Sequence, residues 1–108
     1  MAGALSRGIL GLLAETEEQE VRWHLAVIVP RLKLGAKEKQ MVVAGLSRYL
    51  EDRSSIVKTF ALQGLADLAT NEPSIRPTVV ETLREAMRSG TPAMRARSRK
   101  LLQQLERS

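Results

Sequence analysis

Val57-Lys58-Thr59-Phe60-Ala61, continued through Leu65 to Leu68, decides how this chain folds. The run opens on an apolar residue and a base. It then places apolar residues four, eight and eleven positions on, which is one face of an α-helix. The same pattern stands 36 residues earlier, in Val21-Arg22-Trp23-His24-Leu25 through Leu32. It returns 37 residues later in Met94-Arg95-Ala96-Arg97-Ser98 through Leu105. A fixed period in this range marks a helical solenoid, in which each unit buries its face only against its neighbours. The expected fold is therefore all-α. It comprises three helix pairs, with repeats at about 1–35, 36–71 and 72–108, in one domain.

Working outward from these runs, periodicity predicts six helices, over about 4–14, 19–34, 36–51, 56–69, 74–88 and 93–105. The apolar positions expected to face inward are Leu5, Ile9, Leu12 and Leu13 in the first helix, and Val21, Leu25, Ile28, Val29 and Leu32 in the second. In the third they are Met41, Val42, Leu46, Tyr49 and Leu50, and in the fourth Val57, Ala61, Leu65 and Leu68. In the fifth they are Ile75, Val79, Leu83, Ala86 and Met87. Pro30 should kink the second helix, because it removes a backbone donor and crowds the carbonyl four residues back. Gly35 reads as a helix stop. Ser54 or Ser55 should cap the fourth helix, and Thr91 with Pro92 should start the sixth. Gly64 leaves room for a neighbouring backbone to come close.

Composition narrows the class. A chain of 108 residues suits one domain. Apolar residues make up 44% and aromatic residues 3%, so the core is Leu, Val, Ala and Ile, which suits packed helices better than a sheet. No cysteine is present, which excludes disulfides, thiolate metal sites and a cysteine nucleophile. Its absence fits a reducing compartment, and a cytoplasmic location is expected. The apolar stretches around 9–14 and 25–30 fall far short of the ~20 residues that a bilayer crossing needs. The N-terminal apolar block is followed at once by Glu15, Glu17, Glu18 and Glu20, so it reads as a first helix rather than a targeting segment.

With these residues in view, the chain resembles HEAT-repeat proteins of the small bacterial kind. In that family an outer helix, a turn often carrying Asp, and an inner helix opening Val-Arg-x-x-Ala and ending Leu-x-x-Leu make one unit. The matching stretches are Asp52, Val57-Lys58-Thr59-Phe60-Ala61 and Leu65-Ala66-Asp67-Leu68, then Pro92-Ala93-Met94-Arg95 and Leu102-Gln103-Gln104-Leu105. Leu25 and Ser98 stand where the family has Ala, as terminal units tolerate. The resemblance implies a right-handed α-solenoid and no particular chemistry, because such folds host many functions. The HEAT-like alkylpurine DNA glycosylases need a catalytic carboxylate and several aromatics around a groove. One Trp, one Tyr and one Phe do not supply that.

Candidate functional residues come from the repeat and from charge. Arg22, Lys58 and Arg95 occupy one repeat position. They form either a row of cations for an acidic partner or a ladder bonded to turn acids, and Asp52 lies six residues before Lys58. Trp23 matches small residues in the other units and is either an interface anchor or a packing plug. His24 has no second His or Cys to share a metal, and a surface structural role is the plainer reading. Leu62 is expected in an apolar strip beside Trp23.

Residues 1–36 and 37–73 each balance their charges, so the whole net charge of +5 comes from residues 74–108. There Arg95, Arg99 and Lys100 lead a dense basic end, read either as a recognition surface or as a solubilising cap. No set of acids, Ser or Gly assembles a catalytic or phosphate-binding motif. The expected function is thus non-enzymatic, with no cofactor and no metal. The chain would bind another protein through Arg22, Trp23, Lys58, Leu62, Arg95, Arg99 and Lys100. Nucleic acid or another polyanion is the alternative partner.

Overall fold

The computed structural model describes residues 2–107, with side chains from Gly8 onward. Six α-helices follow one another: α1 (Ala2–Glu15), α2 (Gln19–Ile28), α3 (Ala36–Tyr49), α4 (Ser55–Thr70), α5 (Arg76–Ser89) and α6 (Pro92–Arg107). Single 3-10 turns, Val29–Arg31 and Pro73–Ile75, extend α2 and precede α5. No strand occurs among the described residues. Helix α4 packs against both α2 and α6, while α3 lies against α4, α5 lies against α6 and α4, and α1 lies against α3. The Cα envelope measures 39 × 30 × 15 Å, and its shortest dimension suits two helix layers with axes ~10 Å apart.

Local chemistry sets the helix ends. The Ser54 Oγ accepts from the Val57 amide at 3.3 Å and caps α4. Thr91 does the same for α6 through the Met94 amide at 3.2 Å, with Pro92 in the first helical position. Gly35, read above as a stop, instead opens α3, and its amide donates to the Glu38 carboxylate at 2.9 Å. Pro30 does more than kink its helix. It has no N–H to offer the Ala26 carbonyl, so α2 ends at Ile28 and the chain tightens into the 3-10 turn. Gly64 sits beside that released carbonyl. A Cβ at Gly64 would stand 2.7 Å from Ala26 O, so α2 and α4 touch here backbone to backbone.

The core is one cluster running through all three units, from Leu10 and Leu13 to Leu101 and Leu105. The central stripe of Val57, Ala61, Leu65 and Leu68 is buried as expected. Three expected inward residues, Leu12, Ile28 and Met41, are exposed, and Leu10 fills the first helix's inward position instead, while Ile9, Val21, Leu32, Leu50, Ile75 and Met87 are half-buried. Leu5 lies outside the described side chains.

The units are joined by polar contacts as well as by apolar packing. The Tyr49 hydroxyl donates to the Leu13 carbonyl at 2.6 Å, and Lys39 pairs with Glu72 at 2.7 Å.

Candidate binding face and basic end

Each inner helix uses the same angular positions for the same purpose. Leu62, in the middle of α4, is wholly buried at 0% exposure and so cannot line an open groove. Its place in the preceding unit is Ala26, also wholly buried. This flank faces the following unit in α2 and in α4, as α2 packs on α4 and α4 on α6. In α6 the equivalent place holds Arg99, and that flank, with Arg95 one turn before, is exposed, since no other described helix covers it. Two residues expected at one binding surface, Leu62 and Arg99, are therefore the same joint position, covered in one unit and open in the other.

The opposite flank forms a continuous face. Trp23 of α2 stacks on Phe60 of α4, with ring centroids 5.1 Å apart, and on His24 at 3.7 Å. His24, Phe60 and Arg97 are equivalent positions, and Arg97 reaches across from α6 to donate to the Gln63 side-chain Oε1 at 3.3 Å. His24 Nδ1–H donates to the Glu20 carbonyl at 2.6 Å, which fixes the ring against the tryptophan. Ile56 lies one turn before Phe60 and is 58% exposed. Lys100 follows Arg97 on the same side of α6 and is exposed. The face is thus aromatic and aliphatic over the first two units and cationic over the third.

The cation row is a ladder at its first rung only. Arg22 pairs with Asp52 at 2.7 Å, and its Nε donates to the Thr16 carbonyl at 2.9 Å. The acid therefore serves the cation of the preceding unit, not Lys58 six residues later in its own. The Asp52 carboxylate also accepts from the Ser54 amide at 2.7 Å and from the Gln19 amide at 3.3 Å. Burial pushes its pKa up. The Ser54 amide, the Arg22 guanidinium and the Gln19 amide outweigh burial and hold it below the ordinary carboxylate value. The Arg22 guanidinium lies 4.9 Å from the Tyr49 ring centroid. The Lys58 side chain makes no ion pair or hydrogen bond among the described residues.

Of the residues singled out from sequence, the structure groups Trp23 with His24, Phe60 and Arg97. It assigns Arg22 to a joint, buries Leu62, and places Arg95 and Arg99 on the end flank. Sequence reasoning passed over Phe60 and Gln63 as surface members, and placed Arg97 only in the basic end. Their repeat offsets held the signal, since equivalent positions of successive units lie side by side.

Among the described residues no three His, Cys, Asp or Glu side chains converge as a metal site. No described helix is long and apolar enough to cross a membrane. Compared with protein-family models, curated proteins and solved structures, the chain matches none of them.

Proposed function

We propose that this chain is a non-enzymatic binding module of the HEAT-like, right-handed solenoid type, which takes a segment of another protein along its inner face. The observation that carries this reading is the cross-helix row of Trp23, His24, Phe60 and Arg97 on three successive inner helices. A row of rings bordered by an exposed isoleucine and two cations suits a segment with apolar anchors beside acidic residues. The rings and Ile56 would bury the anchors, and Arg97 and Lys100 would meet the acids. Such a partner would gain affinity from the buried ring contacts and orientation from the charges.

The test is a backbone-amide NMR titration with an acidic amphipathic helical peptide. Shifts should gather at Trp23, Ile56, Phe60, Gln63 and Arg97. Trp23→Ala should weaken the complex by about 2 kcal/mol, the scale of an aromatic anchor. Shifts confined to the outer helices α1, α3 and α5 would refute the reading.

Exposed Arg95, Arg97, Arg99 and Lys100 favour a second reading, in which α6 lies along a nucleic-acid backbone. The two separate by salt. A phosphate backbone held by four cations would give a log–log salt slope of roughly −3 to −4, whereas a packed protein interface would change little.

A further inference from the structure

The two joints between units use equivalent positions filled by different residues. In the first, Arg22 is held between the Tyr49 ring, 4.9 Å from its guanidinium carbon, and the Asp52 carboxylate at 2.7 Å. One period on, Lys58 replaces Arg22, Ala86 replaces Tyr49 and Ser89 replaces Asp52. A phenol ring and a carboxylate are missing from the second joint, while the cation remains. At that place a cavity of about 940 Å³ opens to solvent, and Lys58, Ala86, Ser89 and Thr91 line it together with Thr78 and Thr82 of α5. The missing side chains account for its position.

We propose that this cavity binds an aromatic carboxylate, with the ring where Tyr49 sits in the first joint and the carboxylate where Asp52 sits. The ammonium of Lys58 is the ion-pair partner. The amide of Thr91 is the counterpart of the Ser54 amide that donates to Asp52 at 2.7 Å. The methyl of Ala86 and the side chain of Met94 give the ring an apolar floor. Two acids also line the cavity, and each has a cation of its own: Glu85 is held by Arg88 at 2.6 Å, and Glu81 lies 3.8 Å from Arg84. Lys58 is thus the cation left for an incoming anion. This site is separate from the inner face and does not rest on the function proposed for it. The same chemistry could arrive as a free small acid or as an aromatic and an acidic residue three apart in a peptide.

The full chain would be titrated with 4-hydroxyphenylacetate and, separately, with a peptide copying Tyr49-Leu50-Glu51-Asp52. Tyramine and acetate serve as controls, and amide shifts are followed by NMR. Saturable shifts at Ala86, Ser89, Gly90 and Thr91 are expected with at least one of the two acids and with neither control. The tighter of the two identifies the source as metabolite or protein segment. Lys58→Met should weaken binding by about tenfold, the loss of one charge-assisted hydrogen bond. The double variant Ala86→Tyr/Ser89→Asp supplies the ring and the carboxylate of the first joint and keeps Lys58. It should abolish binding and raise the melting temperature. If it fails to fold, Lys58→Met alone still decides. Absence of saturable shifts with both acids, equal binding of tyramine, or unchanged affinity in Lys58→Met overturns the proposal.

Discussion

Burial alone would raise the pKa of the Asp52 carboxyl, yet its three donors hold it below the ordinary value of about 3.9. A carboxyl depressed on folding binds fewer protons folded than unfolded, so stability rises with pH across that interval. The contribution of Asp52 is complete above the ordinary carboxylate range and is lost as pH falls through its lowered value. Asp52→Asn should therefore cost about 2 kcal/mol near neutral pH, the scale of a hydrogen bond to a charged group. The difference from the parent chain should shrink below pH ~4. Denaturant unfolding at neutral pH and at pH 3 would show it, and an equal loss at both would mean the ion pair is not the cause. Ser98 presents the opposite case. Its side chain is wholly buried, its hydroxyl has no hydrogen-bond partner among the described residues, and Ala61 fills the equivalent place one unit earlier. An unpaired buried hydroxyl costs about 1–3 kcal/mol. Ser98→Ala should thus raise stability by about 1 kcal/mol, and a loss would show that the hydroxyl is bonded in solution.

Packing of α4 decides how firmly the units hold together, and two substitutions measure it. Leu65→Ala should cost ~2–5 kcal/mol, as expected for a buried leucine in a tightly packed core. Gly64→Ala should cost ~1–3 kcal/mol, because the new methyl meets the Ala26 carbonyl, a backbone atom that cannot turn aside. A neutral Gly64→Ala in equilibrium unfolding would mean that α2 and α4 are further apart than described. At this scale the sequence is legible where one unit suffices to interpret it. The inward stripe of α4, the caps Ser54 and Thr91 and the close approach at Gly64 all follow from local pattern. Leu62 does not, since it lies off the stripe of Val57, Ala61, Leu65 and Leu68 and is buried only because a second flank meets the next unit. The partner of Asp52 was obscured for a related reason. Counting within a unit points to Lys58, whereas the bond runs 30 residues back to Arg22. Leu12, Ile28 and Met41 fit a helical period too, but they fall where no neighbouring helix covers them.

Across the whole molecule, the charge excess of the last unit divides between two surfaces. Arg95 and Arg99 stand on the exposed flank of α6, at the positions equivalent to Lys58 and Leu62 of α4. Arg97 and Lys100 border the aromatic row. Periodicity alone located the basic end but not this division, because it gives the position along the helix without saying which flank meets a neighbour. The division makes the two pairs separable by mutation. Arg95→Gln/Arg99→Gln should leave fold and partner binding nearly unchanged, since exposed charges contribute little stability. Arg97→Gln/Lys100→Gln should keep the fold and lose binding. Trp23 is the only tryptophan of the chain, so its fluorescence reports on the inner face alone. The most direct test is a titration of the chain and both double variants with the acidic amphipathic peptide, followed by tryptophan emission and by calorimetry together. Binding through the inner face predicts a saturable emission change in the parent chain and in Arg95→Gln/Arg99→Gln, and its loss in Arg97→Gln/Lys100→Gln. Calorimetric binding with unchanged emission, or binding abolished by the end-flank variant and kept by the inner-face variant, would contradict it.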